Sequence, residues 1–400
     1  MEYCPRCMRE TTGLSCTHCG ANLGWQNDSF QLPVGTVLVG GSSGRSYRIG
    51  AALGQGGFGI TYIALENETG RRVAVKEFFP TRVGWVQRDS DHVTVQIRPG
   101  KEADYTKGRM SFLKEARILA SMNDSPSSVV KGLDYAELHN TAYLIMEFLD
   151  GTPLYRMVEK RGKLPAGELL PRLKPLMNDL TWLHRQNIIH RDIGPDNIMW
   201  MPDGMLKILD FGSARRADGN NQLTVLLKPK FAPVEQYQTD GHGSWTDVYT
   251  LAASIYYCLT GVIPTKSVDR LTQIRDAGMD PLKPPTALGA DLTAAQESVL
   301  LHALTVEPGL RIRSMEEFTA QLFPGDQVQP ETESPAPEIP MTSVSQPLQA
   351  SQQWTDPAAV PADVQRSGSR LLNWMKTNWY IPAVVAAMLV AFIIFLLMII

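Results

Sequence analysis

The sequence predicts a multidomain α+β protein. Three observations carry that expectation: cysteine pairs crowded into the first twenty residues, a long middle stretch holding both strand-like and helical segments, and a charge-free apolar segment near residue 400. At 400 residues and 44% hydrophobic, the chain can bury at least one large core, and a norm of about 150 residues per domain suggests two or three units. Thirty-eight lysines and arginines nearly balance 41 aspartates and glutamates, for a net charge of −3. No global field therefore recruits nucleic acid or an anionic membrane, and any partner must be argued from local sites.

Residues 1–24 form the first expected unit. Cys4-Pro-Arg-Cys7 and Cys16-Thr-His-Cys19 are two tight knuckles, each able to turn two thiolates toward one ion. The polar N-terminus lacks a secretory apolar core, so an oxidised framework is not expected and the pairs read as a metal site. Four sulfurs satisfy tetrahedral Zn²⁺, which would supply much of the folding free energy of so short a segment. His18 is then a bystander. The pattern resembles a zinc ribbon, a module of nucleic-acid binders and of structural or docking caps. With only Arg6, Arg9 and His18 as basic residues, a structural or protein-docking role is expected, and nucleic acid is not. Cys258, alone in an apolar run, reads as a buried small residue.

The second unit spans 34–323. Leu53-Gly-Gln-Gly-Gly-Phe-Gly-Ile-Thr-Tyr62 lies between strand-like Tyr47-Arg-Ile-Gly and Ile60-Thr-Tyr-Ile-Ala-Leu65. Its glycines let backbone amides approach phosphate oxygens. The same spacing also marks dinucleotide folds, but those want a helix next, and the β-branched and aromatic residues here favour a second strand. A third strand, Arg72-Val-Ala-Val-Lys-Glu77, ends on Lys76. Residues 110–120 have helical apolar spacing, with Glu115 beside the stripe and placed to pair with Lys76.

The decisive stretch is Ile188-Ile-His-Arg-Asp192-Ile-Gly-Pro-Asp-Asn197, followed by Leu206-Lys-Ile-Leu-Asp210-Phe-Gly212. Two short apolar strands each deliver an acid at a loop. In-line phosphoryl transfer needs a carboxylate to orient the acceptor and oxygen ligands for Mg²⁺, and Asp192, Asn197 and Asp210 supply them. With the glycine loop and V-A-V-K ahead of them, H-R-D-x-x-x-x-N and D-F-G make the chain resemble a eukaryotic-type (Hanks-type) Ser/Thr protein kinase of bacterial character.

That resemblance implies a bilobal fold, a small β-rich lobe and a larger helical lobe closing over ATP. It implies that Leu53, Gly54, Gln55, Gly56, Gly57, Phe58, Gly59, Thr61 and Ala74 enclose the nucleotide, and that Met146-Glu-Phe-Leu149 is a hinge whose Glu147 and Leu149 border adenine. Asp192 would orient the acceptor hydroxyl, and Asn197 and Asp210 would bind Mg²⁺ or Mn²⁺. Lys76, positioned by Glu115, would hold the α- and β-phosphates, and Arg191 would clamp the activation segment. Glu235 of Ala232-Pro-Val-Glu235 would pair with Arg311, and Asp247 would anchor a helix.

The sequence departs from the family at Gly194, where a lysine on the γ-phosphate is usual, and at Lys228, where a threonine is usual. Lys228 either restores the missing cation from the opposite side of the cleft or is a solvated lysine. Thr224 is the expected activating phosphosite, through Arg191. The rival readings are a pseudokinase scaffold docking through the head, and a membrane-tethered nucleic-acid binder.

Residues 324–370 are rich in proline and polar residues and read as a disordered linker. Residues 380–400 read as one transmembrane helix, since 381–400 carry no charge and about 20 residues match the hydrocarbon core. Trp374, Trp379 and Tyr380 sit at the interface, and Arg366, Arg370 and Lys376 put the upstream domain in the cytoplasm. The expectation is thus a single-pass membrane protein, tail-anchored if the chain ends at Ile400, that phosphorylates protein substrates.

Overall fold

The structure is a computed structural model that describes residues 2–326, apart from 42, 58, 82–83, 123–125, 210–214, 217–229 and 238–240. The expected membrane segment at 380–400 lies outside the described residues, as does nearly all of the linker, of which 324–326 form one 3-10 turn. Among the described residues, no helix is long and apolar enough to cross a membrane.

The first residues pair as strands β1 (Glu2–Tyr3) and β2 (Glu10–Thr11), which flank the first knuckle. Cys4, Cys16 and Ala21 form a separate buried cluster too small to stand as a hydrophobic core.

A six-stranded antiparallel sheet follows, built from β3 (Val37–Val39), β4 (Ser46–Gln55), β5 (Gly59–Glu66) and β6 (Arg72–Phe78), then β9 (Gly132–Leu138) and β10 (Thr141–Glu147). Its order is β3-β4-β5-β6-β10-β9. The strands expected at 47–50, 60–65 and 72–77 all form, each somewhat longer than its apolar signature. Between β6 and helix α1 (Glu102–Ser121) sits an inserted hairpin, β7 (Val86–Arg88) and β8 (Val95–Ile97). It is pinned by Arg88, whose Nη1 and Nη2 donate to the two carboxylate oxygens of fully buried Glu77 at 2.7 and 2.6 Å. Helix α1 begins well before the expected stretch and buries Phe112, Leu113, Ala116 and Leu119, the spacing of one helical face. It packs against β9 and β10.

The larger lobe is helical. Strand β11 (Thr152–Pro153) leads into α2 (Leu154–Arg161) and α3 (Ala166–Arg185). Short strands β12 (Ile188–Ile189), β13 (Ile198–Trp200), β14 (Leu206–Ile208) and β15 (Arg215–Arg216) follow, then α4 (Ser244–Thr260), α5 (Ser267–Ala277), α6 (Ala294–Ala303) and α7 (Met315–Leu322). Helix α3 buries Leu169, Leu173, Leu176, Leu180 and Leu183 along one stripe, whereas α4 is buried nearly all round and is the lobe's central strut. Cys258 lies on α4, fully buried as expected, and burial pushes its thiol up. Gly261, at φ +71°, ends α4 in the left-handed conformation glycine adopts at a helix C-terminus. The architecture is the bilobal one expected.

Candidate active site

Strand β12 delivers the first acidic loop. Asp247, buried in the first turn of α4, accepts the amide of Arg191 on Oδ1 at 2.7 Å. Its Oδ2 accepts the amide of His190 and Nε2 of His184, both at 2.8 Å. Burial alone would raise this carboxyl, but His184 and the loop amides hold it below the ordinary aspartate range. The loop is therefore fixed from beneath, and Arg191 is held at φ +66°, a backbone region non-glycine residues seldom enter.

Asp192 and Asn197 come together on this loop. Asn197 Nδ2 donates to the Asp192 carboxylate Oδ2 and to its main-chain oxygen, both at 2.9 Å. With its nitrogen so committed, the amide presents Oδ1 as the atom for a hard cation. The amide of Leu209 donates to Asn197 O at 2.7 Å, and Leu209 O accepts from His190 Nε2 at 3.0 Å. Asp210 itself lies outside the described residues, but the residue before it is tied on both sides to the loop of Asp192 and Asn197.

The roof comes from the sheet. Strand β4 is buried at Tyr47 and Ile49 and exposed from Leu53 to Gln55, so its end projects as a flap. The return is closed by Gly56 N donating to Gly59 O at 2.8 Å. A Cβ at Gly59 would stand 2.2 Å from Glu77 O, so this position requires glycine. Register pairs Thr61 with Lys76, Ile63 with Ala74 and Leu65 with Arg72, three successive rungs on one face. Thr61, Ala74 and Lys76 thus line the same side. Gly54 and Gly57 sit in the flap, and Phe58 lies outside the described residues. Glu115 is half-buried on α1, the helix packed on the strand adjoining β6.

At the hinge, Glu147 accepts Lys207 Nζ at 2.8 Å and the Lys131 amide at 3.0 Å, tying the end of β10 to β14 of the other lobe. Leu149 is buried beside it. Below, Glu235 pairs with Arg311 through two bonds of 2.7 and 3.1 Å, as expected. Lys228 and Thr224 lie outside the described residues.

The four N-terminal cysteines form a second constellation, with all sulfurs within 4.8 Å of one another. The Cys4–Cys19 and Cys7–Cys16 sulfur pairs are each 3.7 Å apart. Tetrahedral Zn²⁺ with Zn–S bonds of about 2.3 Å spaces its sulfurs by about 3.8 Å, so the donor set fits. Burial disfavours the Cys16 thiolate, yet the amides of Cys19 and His18 turned on its sulfur bring the thiol down to about 6.

Sequence reasoning missed Lys207 and His184, since neither stands in a chemically suggestive local pattern. Of the expected residues, Asp192 and Asn197 come together on one loop, and Thr61, Ala74 and Lys76 share one face of the sheet.

A family model described as the protein kinase domain matches residues 47–320. The serine/threonine-protein kinase Pkn1 of Myxococcus xanthus is 31% identical over 289 residues, 70% of this chain and 38% of that protein. The probable serine/threonine-protein kinase SCO3848 of Streptomyces coelicolor is 26% identical over 287 residues, 70% of this chain and 40% of that protein. The chain thus spans about two fifths of the length of these curated relatives. A solved structure described as PpkA-294 apo form is 30% identical, with a TM-score of 0.61 over 73% of this chain and 99% of that one.

Proposed function

Because the chain belongs to the protein kinase family, we propose that it transfers the γ-phosphate of ATP to Ser/Thr hydroxyls of protein substrates. The observation that carries this reading is the Asn197–Asp192 hydrogen bond on a loop anchored by buried Asp247. Asp192 receives the acceptor hydroxyl and orients its oxygen toward the terminal phosphate. Asn197 holds that carboxylate with its nitrogen and leaves Oδ1 for Mg²⁺ or Mn²⁺, with Asp210 as the companion ligand. The bound metal supplies charge neutralisation on the phosphate oxygens. Lys76, with Glu115, holds the α- and β-phosphates under the flap of Leu53–Gly59, and the hinge at Glu147 and Leu149 borders the adenine. Arg191 clamps the activation segment, in which Thr224 is the phosphosite and Lys228 supplies the cation that Gly194 lacks.

The reading extends to the rest of the chain. Residues 1–24 bind structural Zn²⁺ through Cys4, Cys7, Cys16 and Cys19, supported by the sulfur spacing. Residues 380–400 tether the protein to a membrane with the kinase domain (34–323) on the cytoplasmic side, supported by the apolar run and its basic flank; 324–370 link the two.

Label transfer from γ-³²P-ATP to a mixed protein substrate, followed by phosphoamino-acid analysis, tests reaction, catalyst and acceptor together. Wild type should label serine and threonine, and Asp192→Asn should lose at least about a hundredfold in rate. Equal labelling by the variant would overturn the assignment.

A further inference from the structure

The head lies against the roof of the cleft, and the contact is specific. The two knuckles are built alike: Met8 N donates to Cys4 O at 2.8 Å and Gly20 N to Cys16 O at 2.9 Å. Both residues after the second cysteine take positive φ, +52° at Met8 and +71° at Gly20. The turn thus favours glycine at this position, as the second knuckle has it, and a methionine there is strained. What the methionine gains is burial: its side chain is 4% exposed, packed with Ala51, Ile63 and Leu65 of the sheet and with Tyr3 and Phe148 at the edge. A Cβ on Gly50 would come within 2.3 Å of Met8 Cε, so the sheet is hollowed at Gly50 to receive it.

That hollow is a bulge. The β4–β5 register shifts between Ile49 and Ala52, immediately before the flap, which frees backbone groups from the ladder. Groups from outside the sheet take them up. Ala51 N donates to Pro5 O of the first knuckle at 2.7 Å. Ala52 N donates to Asn27 Oδ1 at 3.1 Å, and Asn27 Nδ2 donates to Gly50 O at 2.9 Å. Ile63, which carries Met8, shares its rung with Ala74 and lies one rung from Thr61 and Lys76, on the face that roofs the nucleotide. At the hinge, Arg9 and Arg72 both reach Asp150 Oδ2 at 3.1 Å, and Arg72 lies over the ring of Phe148.

We propose that the first knuckle is a brace on the nucleotide flap, with Pro5 and Met8 as positioning residues for ATP. The brace rests on the zinc reading above, because the metal is what holds the knuckle in the shape that presents Pro5 O and Met8 to the bulge. On this proposal the surface that the first knuckle docks on is the small lobe of the same chain.

The deciding variant is Met8→Gly, which suits the turn and leaves all four cysteines in place. In the full-length protein, bound zinc is measured by chelator-dye release, amide exchange at Ala51 and Ala52 by mass spectrometry, and KM for ATP separately from kcat. With zinc content unchanged, Ala51 and Ala52 should exchange faster and KM for ATP should rise about three- to tenfold while kcat stays within about twofold. Met8→Leu should restore both. A zinc-loaded Met8→Gly protein with wild-type KM and wild-type exchange overturns the brace. A wild type that holds no zinc, yet shows the Met8→Gly effect, sinks the zinc assignment and leaves the brace standing.

Discussion

Replacing Asp247 with asparagine tests how the loop of Asp192 is held. The carboxylate is fully buried and meets three donors, the Arg191 amide on one oxygen and the His190 amide and His184 Nε2 on the other. An amide can accept on only one side. If its oxygen faces His190 and His184, its NH₂ group confronts the Arg191 amide across 2.7 Å. At least one charge-assisted bond is lost and a buried donor is left facing a donor, which costs about 2–4 kcal/mol. At roughly 2 °C per kcal/mol for a domain of this size, Tm should fall by about 4–8 °C. The displaced peptide leads directly to Asp192, so kcat should drop at least about tenfold, whereas KM for ATP, which we assign to flap and hinge, should change less than about threefold. The stability difference also has a sign in pH. A carboxyl held below its ordinary range in the folded state stabilises the fold above the ordinary aspartate value of about 3.9, and that contribution fades as the pH falls below it. The Tm gap between wild type and Asp247→Asn should therefore be widest near neutrality and narrow in acid. Calorimetry across pH, with steady-state kinetics at neutrality, checks both. A variant with wild-type Tm and kcat would refute the claim that this residue holds the loop.

Three further outcomes are expected. Lys207→Met removes the tie between β14 and the hinge carboxylate of Glu147, and should raise KM for ATP about two- to fivefold with kcat nearly intact, read from initial rates. Stripping zinc with a strong chelator, or replacing Cys4 and Cys19 by serine, should accelerate proteolysis within residues 1–33 while the remainder of the domain still melts cooperatively, as seen by limited digestion and calorimetry. Deleting 380–400 should move the protein from the membrane pellet to the supernatant after alkaline carbonate extraction, whereas the full chain stays in the pellet.

The parts of this molecule that were legible in its sequence are those whose chemistry is local. Asp192 and Asn197 stand five residues apart on one loop, and the strands of the small lobe announce themselves by alternation at Tyr47 and Ile49 or Val73 and Val75. Glu235 and Arg311, 76 positions apart, were paired only through the family resemblance. What stayed hidden depends on contacts that leave no periodic trace. The Arg88–Glu77 pair anchors the inserted hairpin from a strand eleven residues away. His184 looks like the end of an ordinary amphipathic helix until the fold brings it under Asp247, 63 residues away.

Met8 is the instructive case, because a signal was present. The two knuckles differ where one has methionine and the other glycine, and a backbone that prefers glycine tolerates methionine only when its side chain is held elsewhere. Comparing equivalent positions of an internal repeat therefore exposes a tertiary contact that neither hydrophobic pattern nor motif could. Here the comparison points from a turn of the cysteine head to the bulge of β4 and β5 on which its Met8 and Pro5 rest.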